Sequence, residues 1–221
     1  DEWGDTRPFR EPILARPLVA KQQDLEVRKT IQADAQEPER SAYDYSSVVD
    51  VVEAEKPDNV VYLGEFGVGT SALFRAVAQA DPKVKINGPD ALASEAFVRQ
   101  LGAAADQAYF THPALGGSDL PADGKQFEQA YEKKYGSKPV PFAAFGYESM
   151  SAVLASIEAA GDKGGERQAV IDQFFKIKDR DSAVGTYSID SNGDTNLTTY
   201  GSWNAKGGQL TYERELSTKS N

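Results

Sequence analysis

The sequence predicts an α/β fold in which a parallel sheet is flanked by helices. Over residues 1–111, runs typical of strands alternate with runs typical of helices, as in successive βαβ units. After residue 123 this alternation stops and a block of helices follows, and short β-like runs begin at residue 184. The length of 221 residues allows one large domain or two small ones.

The first predicted elements are a helix and a strand. Residues 7–23 carry apolar side chains at helical spacing, although Pro12 and Pro17 weaken the pattern. Residues 25–31 alternate between apolar and polar side chains as a strand does, and a polar loop over 32–41 follows. In this alternation a further strand is expected before the first residue, and the sequence does not contain it.

The middle of this region gives the clearest units. Asp44 can cap a helix over 45–55, and residues 59–63 form a short apolar strand of the kind buried in parallel sheets. A glycine-containing turn over 64–69 then leads into a helix over 70–79.

The alternation of strands and helices continues as far as a predicted linker. Residues 84–87 predict a strand, Ser94 can cap a helix over 95–101, and residues 107–111 predict another strand. Residues 112–123 are rich in glycine and proline and indicate a linker.

Helices over 124–135, 141–160 and 166–176 form the next block, with a glycine-rich break over 161–165. Their apolar faces fit a sheet, yet this block has no sheet of its own. We therefore expect that part of the folded molecule lies outside this sequence.

The last region is β-like. Two glycine-containing turns, at 190–194 and 206–208, suggest hairpins, and residues 215–221 are expected to form a polar tail. The segment Asp190–Asp194 also resembles the start of a calcium loop, but Gly201 stands where the bidentate acid is expected. A tight turn is the favoured interpretation.

Composition excludes several classes of function. Lys and Arg number 24 against 34 Asp and Glu, and the net charge of −10 disfavours nucleic-acid binding. There is no cysteine, so disulfides and thiolate metal sites are impossible. The single histidine, His112, rules out a multi-histidine metal site, and a structural or surface role for it is favoured over catalysis. No metal or cofactor is predicted.

One motif favours a nucleotide. The run from Gly67 through Gly69 to Ala72 fits G-x-G-x-x-A after a predicted strand, and Asp90 follows the next strand. Glu65 would place a negative charge beside the phosphates, and any strand–turn–helix connection favours glycines. An NAD-dependent oxidoreductase using this turn is therefore kept as an alternative.

Three side chains follow strands of the predicted sheet. Trp3 follows the inferred first strand, Phe66 follows the strand over 59–63, and Asp90 follows the next strand. In open α/β sheets, ligands bind at the carboxyl ends of the strands. Two aromatic walls and one carboxylate would suit an ammonium group together with an apolar side chain. The alternative is that the aromatic residues cap the core and Asp90 begins a turn.

An ordered set of motifs carries a family resemblance. The segments, which span nearly the whole chain, are Asp1-Glu2-Trp3-Gly4, Tyr43-Asp44-Tyr45-Ser46, 56–64, Asn87-Gly88-Pro89-Asp90, 135–139, 142–148, 157–161 and 185–194. Through them the chain resembles the C-terminal part of the branched-chain amino-acid type of periplasmic solute-binding proteins, which have the type I fold and serve ABC importers.

The resemblance implies two α/β lobes that hold a ligand between them, one nearly complete here and the other partial. Lobe two would comprise residues 1–112 and 198–214, and residues 113–197 would form the C-terminal portion of lobe one. The remainder of lobe one would belong to an N-terminal segment of the same protein that is missing here.

In amino-acid-binding relatives, lobe two supplies two aromatic residues and an acid that takes the α-ammonium. These positions match Trp3, Phe66 and Asp90. The resemblance implies an extracytoplasmic protein, either soluble or lipid-anchored, that has no catalysis, binds a small solute and delivers it to an ABC permease. A ligand-sensing module of a receptor is the remaining alternative.

Overall fold

The computed structural model describes residues 26–27, 29–31, 44–64, 66–67 and 69–216. Five strands within them form one sheet, in which each strand neighbours the next along the chain. The first three pair in parallel and the last two in antiparallel orientation, so the sheet is mixed. The strands are β1 (Asn59–Val61), β2 (Lys85–Gly88), β3 (Ala108–His112), β4 (Tyr200–Asn204) and β5 (Thr211–Leu216).

Three helices alternate with the parallel strands, as predicted. They are α1 (Ser46–Glu55), α2 (Thr70–Ala80) and α3 (Glu95–Leu101), and α2 contacts both of the others. The predicted helix start at Ser94 is confirmed, whereas α1 begins one residue later than predicted, with Tyr45 instead of Asp44 at its N-cap position. The Asp44 carboxylate accepts a hydrogen bond from the Ser46 N–H at 2.9 Å, and the Ser94 hydroxyl accepts one from the Phe97 N–H at 3.2 Å.

Two predictions near the start of the chain have a different outcome. The predicted helix over 7–23 lies outside the described residues. The described residues of the predicted strand over 25–31 lie outside the five-stranded sheet, although Ile31 packs against its core.

The core lies between these helices and the sheet. Phe74, Phe97 and Phe110 are buried and meet edge to face, with ring centroids 5.3 Å apart for the first pair and 6.1 Å apart for the second. Edge-to-face pairs add to the stability gained from burial alone. We call residues 44–112 together with 200–216 the sheet half.

A helical block, residues 122–175, lies between β3 and β4 in the chain. It contains α4 (Ala122–Tyr135), α5 (Ala143–Ala160) and α6 (Arg167–Phe174), and α5 contacts α6. The buried residues of α5 are small or polar, whereas its large apolar residues are exposed. The buried set is Glu148, Ala152 and Ser156; the exposed set is Tyr147, Met150, Val153, Leu154 and Ile157.

An ion pair anchors the chain that follows the block. The Glu148 carboxylate accepts hydrogen bonds from Arg180 Nε at 2.7 Å and from the Tyr187 hydroxyl at 2.8 Å. Arg180 also donates to the Ser151 hydroxyl at 2.8 Å. Burial, with a further contribution from Glu148, raises the pKa of Tyr187 to about 12. This network fixes residues 180–187 against α5.

The first predicted hairpin forms only in part. The strand expected from residue 184 is reduced to isolated bridges, Arg180 with Tyr187 and Ile189 with Thr195, because no neighbouring strand extends the ladder. The tight turn is present, and the Asp190 carboxylate accepts the N–H groups of Asn192 and Asp194 at 2.8 and 2.9 Å.

The second predicted hairpin is confirmed as β4 and β5. The predicted tail at 215–221 is wrong at its start, since β5 pairs with β4 as far as Leu216.

The predicted linker, residues 112–123, is held in place by hydrogen bonds. We call it the crossing segment because it leads from the sheet half to the helical block. Trp203 Nε1 donates to the Ala114 carbonyl at 3.0 Å, and the Tyr212 hydroxyl donates to Asp119 Oδ2 at 2.6 Å. This hydrogen bond from Tyr212 lowers the pKa of the Asp119 carboxyl. Gly116 lies against the Tyr212 ring, where an added Cβ would be 2.7 Å from Tyr212 Cγ. Strands β4 and β5 therefore hold the crossing segment in place.

Candidate functional site

Asp90 is the charged group at the carboxyl end of β2. It lies two residues beyond the strand and begins a short 3₁₀ turn, Asp90–Leu92. Its side chain is half-buried, and Oδ1 accepts a hydrogen bond from the Ala91 N–H at 2.9 Å. No other hydrogen bond to this carboxylate is found in the described part of the chain, so Oδ2 is available to a cationic group.

Phe66 is the aromatic residue beyond β1. Its side chain is 50% exposed, and its inner edge contacts Phe97, with ring centroids 5.8 Å apart and nearly perpendicular planes. Phe97 in turn packs on Phe110 of β3. The exposed ring of Phe66 is therefore held on a rigid aromatic support, which suits contact with an apolar group.

His112 is the last residue of β3 and is fully buried. Its Nδ1 accepts a hydrogen bond from the Ala114 N–H at 2.8 Å. Burial lowers the pKa of His112 to about 4, although the negative charge of Asp90 acts in the opposite direction. The histidine is therefore neutral at physiological pH, as expected for a structural residue, and the surface role that the sequence left open is excluded.

Phe142 comes from the helical block and covers His112. The two ring centroids are 4.2 Å apart, and Phe142 is 48% exposed. Trp203 of β4 also lies near His112, with centroids 6.1 Å apart. Two half-exposed aromatic side chains, Phe66 and Phe142, thus lie near the carboxyl ends of the strands. The Asp90 carboxylate follows β2, the strand between β1 and β3.

Trp3, the third residue of the predicted trio, lies outside the described residues. Phe66 lies beyond β1 and Asp90 lies beyond β2, and the assignment of all three residues to a ligand site stays a prediction. Sequence reasoning missed Phe142, since its contact with His112 joins residues thirty positions apart along the chain. The position of His112 near the carboxyl ends of the strands could be predicted, because the residue directly follows the predicted strand over 107–111.

Two backbone groups of the glycine turn before α2 form hydrogen bonds with side chains of the chain itself. The Gly67 N–H donates to the Thr70 hydroxyl at 2.9 Å, and the Gly69 carbonyl accepts a hydrogen bond from the buried Tyr45 hydroxyl at 2.8 Å. A dinucleotide site needs free N–H groups at this turn for the phosphates. These contacts favour the structural interpretation of the glycines.

An apolar cavity of about 80 Å³ lies beside the crossing segment. Its lining includes Pro113, Phe127, Phe145 and Trp203, and it contains neither Phe66 nor Asp90. Ligand pockets usually measure several hundred Å³. This cavity is therefore not the candidate site, which lies at the open edge of the sheet.

The described residues contain neither a group of metal ligands nor a helix that could span a membrane. Among them, no three His, Asp or Glu side chains are grouped so that they could hold a metal ion. Nor does any helix in the described ranges have the length and apolar character needed to cross a bilayer.

Comparison with known proteins identifies the family. The model of the family described as "Periplasmic binding protein" matches residues 18–206. The chain belongs to this family. The order of β1, β2 and β3 with their intervening helices agrees with the type I periplasmic binding protein fold that the sequence predicted.

Solved structures of solute-binding proteins share the fold of this chain. A leucine-binding protein from Thermotoga maritima has 25% identity and a TM-score of 0.66, over 80% of this chain and 50% of its own. A branched-chain amino-acid binding protein from Streptococcus pneumoniae, in complex with isoleucine, has 24% identity and a TM-score of 0.66, over 78% and 47%. A solute-binding protein from R. palustris, in complex with benzoate, has 19% identity and a TM-score of 0.68, over 90% and 53%.

These matches also define how much of the fold is present. The chain spans about half the length of the solved periplasmic binding proteins that it matches. Among curated proteins, none matches this chain.

Proposed function

We propose that this chain is part of an extracytoplasmic solute-binding protein, which captures an amino acid with an apolar side chain and delivers it to an ABC permease. The observation that carries the proposal is the half-buried Asp90 carboxylate, which has an uncommitted oxygen and lies beyond β2, the neighbour of the strand that precedes the half-exposed Phe66. A carboxylate there suits the ammonium group of the ligand, and the aromatic ring suits its side chain.

Asp90 favours an amino acid over a carboxylate that has no ammonium group. The similar structures include proteins described with leucine, with isoleucine and with benzoate, so the family accommodates both kinds of ligand. A benzoate-like acid would bring a second negative charge towards Asp90, and like charges at short distance repel. In this proposal Trp3 and Phe66 contact the ligand side chain and Asp90 binds its ammonium.

The ligand would lie between two lobes that close by hinge motion. Lobe two would comprise residues 1–112 and the β4–β5 region, which extends to Leu216 rather than 214. Lobe one would include residues 113–197. The exposed apolar face of α5 supports a further part of lobe one, because a face of this kind normally packs on another element. We propose that a β-sheet in a segment of the protein outside this sequence covers it.

Substitution of Asp90 tests the assignment. Asp90→Asn keeps the size of the side chain and removes its charge, so L-leucine binding should weaken by roughly 10- to 150-fold, the worth of a hydrogen bond to a charged group. Benzoate binding should become stronger in the same variant. Isothermal titration of both ligands with wild-type protein and variant measures both effects. Unchanged leucine affinity would remove Asp90 from the site.

Native mass spectrometry tests the two-lobe arrangement. Purified protein should carry a second polypeptide of about lobe-one size, or a longer chain, together with a small mass that is lost on denaturation. A lone 23.9 kDa chain that melts cooperatively as a stable monomer would contradict the proposal that another segment completes lobe one.

A further inference from the structure

The ring of His112 holds a proton donor that no described residue uses. Because Nδ1 accepts the Ala114 N–H at 2.8 Å, Nδ1 must carry a lone pair. In a neutral ring the proton is then on Nε2, which becomes an N–H donor. Within the described residues, buried Nε2 has no hydrogen-bond partner.

The neighbours of His112 cannot satisfy this donor. Phe142, the closest ring, has no acceptor atom, and the Trp203 indole is itself a donor, already bound to the Ala114 carbonyl. Asp90 is near enough for its charge to act on the histidine, but it forms no hydrogen bond with it. A buried donor without an acceptor is costly, and native proteins rarely retain one without a reason.

The position of the donor connects it with the candidate site. His112 ends β3 at the same edge of the sheet where Asp90 follows β2. Its cover, Phe142, is half exposed and stands immediately before α5. A ligand side chain that displaces the Phe142 ring would therefore reach the His112 ring in an aromatic, water-poor environment.

We propose that His112 is a specificity-determining residue, whose Nε2–H donates a hydrogen bond to an acceptor atom on the ligand side chain. This inference rests on the proposed function and narrows its ligand to an amino acid with a largely apolar side chain that carries one acceptor. The aromatic surroundings favour a neutral acceptor over a carboxylate, since a charged group would lose its hydration there. Sites built around a buried donor reject analogues that lack the matching acceptor.

Nearly isosteric amino acids provide the test. In each pair one member carries an acceptor: L-valine with L-threonine, L-leucine with L-asparagine, and L-phenylalanine with 4-pyridyl-L-alanine. In wild-type protein we expect at least one acceptor-bearing member to bind ten-fold or more tightly than its partner. In His112→Asn that ratio should fall to about one. The asparagine can still accept the Ala114 N–H, and it removes the Nε2 donor.

Nitrogen-15 NMR gives a second readout that needs no variant. The chain has one histidine, so its ring gives one pair of nitrogen signals. The Nε2–H tautomer should be seen without ligand, and its signal should shift when the preferred acceptor-bearing amino acid binds but not when its isostere binds.

Each contrary outcome has a distinct meaning. Binding of several amino acids with no preference within the pairs and no change at Nε2 overturns the role of His112 and leaves the proposed function intact. An equal shift with every amino acid makes the α-carboxylate the acceptor and also overturns it. If no amino acid of the set binds, both proposals fail.

Discussion

The sheet half and the helical block place their large apolar side chains in opposite ways. Phe97 and Leu101 of α3 are 0% exposed, whereas Met150 and Leu154 of α5 are 58% and 57% exposed. Both helices carry apolar residues at helical spacing, but within the described part of the chain only α3 has a sheet to pack against. The difference shows that an amphipathic pattern forms a helix, but burial of its apolar face depends on a partner surface.

The two regions also differ in the polar groups that they bury. The sheet half buries the neutral ring of His112 among aromatic side chains, whereas the helical block buries Glu148 and pairs it with Arg180. An interior with little apolar area is thus held together by a charged network, which is strong only while both partners are present. The following changes test this contrast, beginning with the largest expected effect.

Truncation of an apolar side chain should change the free energy of unfolding far more in the sheet half than on the exposed face of α5. Phe97→Ala should lower the free energy of unfolding by about 3–5 kcal/mol, because it leaves a cavity between three other aromatic rings. Leu154→Ala, the matched truncation on the exposed face of α5, should change it by less than about 0.5 kcal/mol. Urea unfolding of the 221-residue chain measures both, and equal losses would show that the face of α5 is already covered.

Acid should destabilise the sheet half through His112. The folded state lowers the pKa of His112 from 6.5 to about 4, so the unfolded state takes up the proton first as the pH falls. The stability contributed by the neutral ring is complete above pH 6.5 and is lost between pH 6.5 and about 4, by roughly 2–3 kcal/mol.

Thermal melts over this pH range, for wild-type protein and His112→Gln, isolate this contribution from that of the carboxylates. The variant should lose less stability than the wild type over the range. Identical pH dependence in the two proteins would contradict the assignment.

Because Glu148 takes part in a charged network, a substitution that keeps the size of its side chain should still lower the stability of the helical block. Glu148→Gln removes the charge opposite Arg180 and should cost about 1–3 kcal/mol. Glu158→Gln, at an exposed position on the same helix, is the control and should be nearly neutral. Hydrogen exchange should locate the loss in residues 180–187; a uniform loss over the whole chain would argue against a local anchor.

Two serine substitutions, one in each region, should give the smallest difference in stability. Ser94→Ala removes the cap of α3 and should cost about 1 kcal/mol. Ser149 lies exposed on α5 and bonds the Phe145 carbonyl within its own helix, so Ser149→Ala should be neutral. Chemical unfolding of both variants measures the difference, and equal costs would mean that the Ser94 bond contributes nothing to stability.

The parallel strands and the helices between them could be predicted from the sequence because each depends on local patterns. Examples are the apolar run before Gly64 and the Ser94 cap of α3. The predicted strand from residue 184 failed for a non-local reason. Tyr187 and Ile189 are buried as a strand pattern requires, but Tyr187 packs on Glu148 of a helix instead of on a neighbouring strand.

The residues of the candidate site could likewise be predicted only where a local pattern marks them. Phe66 and Asp90 lie within five residues of the ends of β1 and β2, so the predicted strand ends were enough to select them as candidates. Phe142 begins a helix in the other region and reaches His112 only through the tertiary arrangement, for which the sequence gives no local pattern. Trp3 stays a prediction.

The pairing of β3 with β4 has a consequence for the order of folding. The Trp203 side chain bonds the carbonyl of Ala114, 89 positions earlier in the chain, and the two strands form the ladder beside this contact. Closing a flexible loop of that length costs on the order of 4 kcal/mol in chain entropy. During synthesis, β1 to β3 can collapse early, but β4 and β5 leave the ribosome only after the whole helical block. The crossing segment is therefore secured last, and until then the growing chain exposes the open side of β3.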